Sequence, residues 1–452
     1  MLRLVDMYIK MVSGQMNEMN VKTIKSLCGI LAMLAFTACS SNSDESGGND
    51  QHFWTVTLQA SMDESTRALS EGTGNVITAS FAKDDEVVVV DADGSTIVGT
   101  LTAQSTGAST TLSGTLNTTS LTVGEEVKLR YHSATANYDN QVGTLAGIAA
   151  NQDYAEGTLT VSTLSPLTFT STSVTLTAKQ SITKFTFTDG TNAINVKDFR
   201  IIAAGLVQSI ATNGAETLGT VTGTLTAASS DVYVALRNNS GDKKTYTFIV
   251  KDNAGNWHVG TKNAKLTNGK NYTATVALNS TLTSSSAVGT IGVVGGLPAI
   301  VISNTTAVAL MNAGAIWPED YGEYYTFENR ASGLTNSWYV PTQAELTSLK
   351  NTYSNEWITQ NGVNGRTFTI GSNSLFLPAA GFIDNDDDTG QETAYSGKEL
   401  VSTFGYYWSQ TEVTPSGSMA YSYQFSASIN DTYSEYKVNA LTVRPFHALP
   451  AQ

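Results

Sequence analysis

Trp54-Thr55-Val56-Thr57-Leu58-Gln59-Ala60 places every second side chain on one apolar face and Thr, Thr and Gln on the other. Alternation at period two marks a strand half-buried against a core, and β-branched Thr suits the solvent face of a sheet. The pattern returns in Val127–Tyr131, Val174–Leu176, Phe185–Phe187, Tyr246–Val250 and Tyr272–Leu278. Asp93-Gly94, Asp189-Gly190, Asn239-Ser240-Gly241 and Asn268-Gly269 punctuate these runs with the residues that tight turns need. No 3.6-residue period is sustained between Phe53 and Leu278. That stretch reads as β-sandwich material, long enough for two sandwiches.

Outward from it the composition changes. Asn279–Gly289 (NSTLTSSSAVG) has neither charge nor aromatic ring and reads as a linker. Beyond it come Trp317, Trp338, Trp357 and Trp408 and clustered tyrosines. Pro341-Thr342-Gln-Ala-Glu345-Leu346 predicts a helix start, with Thr342 as cap and Glu345 completing a capping box. A region 290–449 with its own aromatics and helix is expected to fold by itself.

The whole chain has 452 residues, 41% hydrophobic and 14% charged, with a formal charge of −14. That balance argues against nucleic acid or an anionic lipid surface as partner. Leu27–Phe36 is one short apolar run behind Lys22 and Lys25, the core of a signal peptide and too short to span a bilayer. Phe36-Thr37-Ala38-Cys39 closes it and resembles a bacterial lipoprotein signal, with Phe36 in place of the usual aliphatic residue. This assigns 1–38 to a signal peptide that starts at Met19, Cys39 to lipidation and 39–52 to a polar tether. Losing the net +2 of residues 1–38 (Arg3, Lys10, Lys22 and Lys25 against Asp6 and Glu18) takes −14 to −16. It also removes Cys28, so the mature chain holds one cysteine, with no intrachain disulfide and no thiolate metal cluster. The membrane is reached only through the lipid.

From Phe53 to Leu278 the order of features resembles the fimbrillin-like (Mfa-like) surface proteins of Bacteroidetes. The features are Ser65-Thr66-Arg67-Ala68 after the first strand, Lys83–Val90, Leu129-Arg130-Tyr131, Gln152-Asp153-Tyr154, Leu167–Phe169 and Gln180–Asp189. The resemblance implies two transthyretin-like β-sandwiches, 53–165 and 166–278. It further implies cleavage between Arg67 and Ala68, release of the first strand and its replacement by a strand of the next subunit. Over 290–449 a second series occurs: Trp317–Tyr325, Trp338–Leu346, Leu375–Gly381, Gly405–Glu412 and Val443-Arg444-Pro445. It resembles the Fibrobacter succinogenes major paralogous domain, implying an α+β C-type-lectin-like module. Gln410 departs from that family's Ser-Ser-Thr.

The residues carry little catalytic chemistry. The four histidines, His52, His132, His258 and His447, have no metal-pair spacing, and no phosphate-binding glycine loop occurs. Formylglycine-generating enzymes share the lectin-like fold but use cysteines that the mature chain lacks. Asp384-Asn-Asp386-Asp-Asp388-Thr-Gly390 alternates carboxylates as a Ca²⁺ loop does. Against calcium, the glycine falls one place late and Tyr395 stands where an EF-hand has Glu; a solvated acidic turn is the alternative. Tyr395 and Tyr406 could stack on a sugar or pack in a core.

The sequence thus predicts a mostly β, non-enzymatic adhesin in the outer membrane or fimbrium. Its partners are fimbrial subunits through strand exchange, and a glycan or a host or bacterial surface protein. Asp384, Asp386, Asp388, Tyr395 and Tyr406 are the candidate ligand residues, without a cofactor beyond calcium. The alternatives are an uncleaved lipoprotein anchor, a surface-layer component, and a glycan-processing accessory protein or hydrolase.

Overall fold

The computed structural model describes residues 52–63, 70–71, 77–78, 80–385 and 398–451. Residues 1–51, with Cys39, and Arg67, Ala68, Asp386, Asp388 and Tyr395 lie outside the described residues. The protein is mostly β, with two α-helices among the described residues.

Seven strands form a ring in the first region: β1 (Phe53–Met62), β2 (Glu86–Val90), β3 (Ile97–Ala103), β4 (Ser109–Asn117), β5 (Glu126–Tyr131), β6 (Ala155–Leu164) and β7 (Ser173–Ala178), with Leu167–Phe169 as an eighth strand paired to β6. Their order is β7-β1-β4-β3-β2-β5, and β6 pairs with both β5 and β7, which closes the ring. Val56, Leu58, Val87, Leu101, Leu112, Leu129, Leu159 and Leu176 fill its interior, as the alternation requires. The junction expected near Ser165 is corrected. Leu164 pairs with Leu167 across a hairpin, and β7 still belongs to the ring, so Ser165 turns a strand rather than ending a domain.

Two sheets face each other in the second region. One runs β10 (Leu206–Ile210), β12 (Asp231–Asn238), β8 (Ser181–Thr188) and β15 (Asn271–Ala277). The other runs β11 (Val221–Ser229), β9 (Val196–Ile202), β13 (Lys244–Asp252) and β14 (Trp257–Ala264). Phe185, Phe187 and Phe248 pack mutually between them, with ring centroids 4.9 to 6.0 Å apart. The excursion between β5 and β6 joins this core through Tyr138, Ile148 and Tyr154. It carries helix α1 (Leu145–Asn151), whose start is capped by the Thr144 hydroxyl accepting from the Gly147 N–H. Seven residues show no helical period, which is why the sequence reading passed over α1.

Beyond Leu278 the chain forms small sheets around helix α2 (Gln343–Thr352). They include the pairings of β16 (Ile291–Val294) with β17 (Leu297–Ser303), and of β18 (Asn355–Gln360), β19 (Val363–Ile370) and β20 (Asn373–Pro378). A further set comprises β21 (Gly405–Glu412), β22 (Met419–Phe425) and β23 (Asn430–Tyr436). The expected capping box is present in full, and Leu346 and Leu349 are buried. The linker expectation for 279–289 is corrected. Ser280 N–H donates to Val259, Val293 N–H donates to Ser280, and Leu282 is buried with Val294 and Trp338. A Ser/Thr-rich run whose backbone bonds are satisfied on both sides is not a free tether.

The second and third regions share a core. Ile249 of β13 and Val259 of β14 lie in one cluster with Ile291, Ile300, Leu346, Phe368 and Tyr407. Beside it, Arg200 of β9 and Glu319 form an ion pair with exposures of only 1% and 9%. Arg200 Nη1 donates to Glu319 Oε2 at 2.6 Å and Nη2 donates to Oε1. Gln360 and Asn361 also donate to Oε1, at 2.6 and 3.2 Å. Burial pushes the Glu319 carboxyl up, but the hydrogen bonds and charge of Arg200 outweigh it and hold the group below the usual carboxylate range.

Candidate functional site

Two places carry the functional expectations: the seat of β1, and the base of the acidic loop.

Strand β1 sits inside the closed ring rather than at an edge. It pairs antiparallel with β4 over nine positions, Phe53↔Asn117 to Ser61↔Ser109, and parallel with β7 over four, Gln59↔Ser173 to Met62↔Leu176. Val56, Leu58 and Ala60 point inward and are 7, 3 and 2% exposed. Burying a Val or Leu side chain contributes roughly 1.5–3 kcal/mol, so this face is the main hold on the strand. The outer face is tied by hydroxyls and an amide. Thr57 meets Ser113 at 3.3 Å, Gln59 Nε2 donates to Thr111 at 3.0 Å, and Ser61 meets Thr175 at 3.1 Å. Removing β1 would open a slot with two unpaired edges and an apolar floor. Arg67 and Ala68, four and five residues past Asp63 in sequence, lie outside the described residues.

The acidic loop leaves the tail from the pairing of Phe382–Ile383 with Lys398–Glu399. Asp384 is half-buried at its base. Asn385 fastens that base: its N–H donates to Asn439 Oδ1 at 2.8 Å and its amide to the Val438 carbonyl at 3.1 Å. Tyr406 is brought to the same place. Its ring lies 4.8 Å from Phe382 and 6.0 Å from Phe404, and the residue is buried. Burial raises the Tyr406 phenol pKa, and Glu435 adds to the shift. Tyr406 is thus a packing residue beside Phe382 and Phe404. Phe382, Phe404 and Tyr324, over whose ring Lys398 Nζ sits at 4.6 Å, complete this end and were missed by sequence reasoning. The signal was available for Phe382 and Phe404, aromatic neighbours of residues already singled out.

Among the described residues no group of three or more His, Cys, Asp or Glu is disposed to hold a metal ion. His258 Nε2 lies 3.0 Å from Asp252, while His447 Nε2 lies 2.9 Å from the Asn336 carbonyl. Burial raises the Asp252 pKa, but hydrogen bonds from His258, Asn256 and Ala254 bring it down to about 2. These are structural partners at a hairpin and a strand end. Among the described residues no helix is long and apolar enough to cross a membrane.

A family model described as a domain of unknown function (DUF8237) matches residues 355–446. No curated protein matches the sequence. Among solved structures, a candidate cell adhesion protein of Bacteroides uniformis is 14% identical, covers 51% of this chain and 94% of its own, and superposes with a TM-score of 0.29. A fimbrial assembly protein of Parabacteroides distasonis is 13% identical over 49% of this chain and 90% of its own, with a TM-score of 0.24. The tip fimbrial protein Mfa3 of Porphyromonas gingivalis, C-terminally truncated, is 9% identical over 49% and 94%, with a TM-score of 0.27.

Proposed function

We propose that this chain is a cell-surface adhesin, anchored through lipid on Cys39 and joined to fimbrial subunits by strand exchange. The observation that carries the reading is the seat of β1. A strand with one apolar face, held between two partners, ends shortly before Arg67-Ala68. Cutting there would leave β1 attached by non-covalent contacts alone. A neighbour's strand of the same period would then restore both ladders and the buried face. Phe446–Ala448 is itself paired on both sides, with Thr306–Val308 and with Trp338–Tyr339. On this reading the subunit accepts a strand in the seat of β1. Asp384, Asp386, Asp388, Tyr395 and Tyr406 are the proposed contact residues in a lectin-like module, with calcium as its ion.

One experiment tests the assembly. The N-terminus of native protein is determined in sheared fimbriae and in membranes, for wild type and Arg67→Ala. The reading expects Ala68 in fimbriae and Cys39 in membranes, with the variant excluded from fimbriae. Incorporation of Arg67→Ala at the wild-type level would refute cleavage-dependent assembly. The uncleaved anchor is the second reading, favoured by the completeness of the ring with β1 in place.

A further inference from the structure

A cleft of about 270 Å³ opens between the second sandwich and the tail, lined by Asn140, Val142, Thr222, Gly223, Thr224 and Trp317. We propose that this cleft binds a neutral pyranose, with the Trp317 indole as its stacking face. The inference takes its ligand class partly from the adhesion reading above, but its place rests on observations of its own.

The first is the state of Trp317. Its ring meets Trp257 edge-on, with centroids 5.5 Å apart at 75°, and the residue stays only half-buried. Ile316 beside it is 49% exposed and Val142 across the cleft 37%. An indole with a free surface and apolar neighbours gains by covering the C–H face of a sugar ring.

The second is that the indole is fixed in position. Asp320 Oδ2 accepts the N–H groups of Ile316 and Trp317 at 3.0 and 2.9 Å. Glu319, two residues on, is locked by Arg200, Gln360 and Asn361. Asn312 holds the Tyr321 carbonyl at 2.9 Å. A platform held this way loses little further freedom on binding.

The third is the polar lip. Thr222 donates its hydroxyl hydrogen to Asp139 at 2.6 Å, and Thr224 donates its own to Asp198 at 2.7 Å. Both oxygens keep acceptor capacity for sugar hydroxyls. Asn140, exposed and at a φ of 55°, offers an amide that can donate and accept. Asp139, Asp198 and Glu319 stand behind the walls of a chain with net charge −14, which disfavours acidic sugars. The volume suits one ring rather than an extended chain.

The test uses the full chain on an array of neutral and acidic glycans, followed by calorimetric titration with galactose, mannose and N-acetylglucosamine. At least one neutral sugar should bind, and Trp317→Ala should weaken it by about tenfold or more, equivalent to about 1.4 kcal/mol. Asn140→Gly, which keeps the positive φ and removes the amide, should weaken it severalfold with the melting temperature unchanged. That second variant answers the objection that Trp317→Ala disturbs folding. Binding of acidic glycans alone, no binding, or equal binding by both variants would overturn the inference. Loss of binding in Asp384→Ala but not in Trp317→Ala would move the ligand to the acidic loop, overturning this site while leaving adhesion intact. Failure of the Arg67→Ala experiment would instead remove strand exchange and leave this cleft standing.

Discussion

Arg200 and Glu319, 119 residues apart in sequence, meet as a two-pronged buried ion pair across the seam between the second sandwich and the tail. Gln360 at the end of β18 and Asn361 in the turn that follows complete the carboxylate's shell. The seam is therefore polar at its centre and apolar around Ile249 and Val259.

Arg200→Ala should destabilise the chain by about 3–5 kcal/mol, because it strands a buried carboxylate. The double variant Arg200→Met/Glu319→Leu should lose less than Arg200→Ala alone. Urea unfolding at pH 7 of the single and double variants checks this. The pH dependence has a definite sign. The Glu319 pKa is lowered in the fold, so its stabilisation is full above its unfolded pKa and is lost as pH falls through the folded value. Wild type should therefore lose its advantage over Glu319→Gln on acidification, not on alkalinisation.

Leu58→Ala should cost about 2–5 kcal/mol, the range for emptying a buried leucine site. The cost falls on the hold of β1 in the ring. Protein cut after Arg67 should release β1 faster in this variant, which gel filtration of the cleaved chain reads directly. Unchanged release would mean that the outer-face hydroxyls, not the apolar face, retain the strand.

Thr342→Ala should cost about 1 kcal/mol, since it removes the hydroxyl that accepts from the Glu345 N–H while the Thr342 N–H still donates to the Glu345 carboxylate. Thr342→Ser should restore most of it. Thermal melts of the two variants provide the comparison.

Millimolar Ca²⁺ should raise the melting temperature of the full chain, and Asp386→Asn/Asp388→Asn should abolish the rise. Free calcium about tenfold over Kd stabilises by about 1.4 kcal/mol. An unchanged melting curve would make the loop a solvated acidic turn.

On the proposed anchoring, Cys39 is the thiol that carries the lipid, so Cys39→Ser should free the protein from membranes. Fractionation and mass analysis decide it, and tight association of the variant would sink the anchor.

Much of this was legible in advance, for identifiable reasons. Period-two alternation at Trp54–Ala60 and Tyr246–Val250 reports a local geometry, so those strands were found within a few residues. The capping box of α2 was legible because its donors and acceptors lie three residues apart. What distance in sequence hides was not legible. Nothing in Phe53–Met62 says that its parallel partner is Ser173–Ala178, and that pairing moved the expected junction from Ser165. Asn279–Gly289 looked like a tether because composition registers side chains, whereas its bonds to Val259 and Val293 are made by backbone. At the candidate site, Asp384 and Tyr406 were named separately. Their meeting through Phe382 depends on a fold that brings residues 382 and 406 together.

The mixed company of β1 has a directional consequence. With β7 parallel on one side and β4 antiparallel on the other, the slot is not symmetric under reversal of the chain that fills it. A strand entering backwards would swap the two ladder types, and neither row of carbonyls and amides on β4 and β7 would meet its complement in the original register. A shift by one residue would turn the apolar side chains outward. Only a segment threaded with the same N-to-C heading and the same parity fits, so any assembly that uses the slot inherits a polarity, and a head is distinguishable from a tail at every joint.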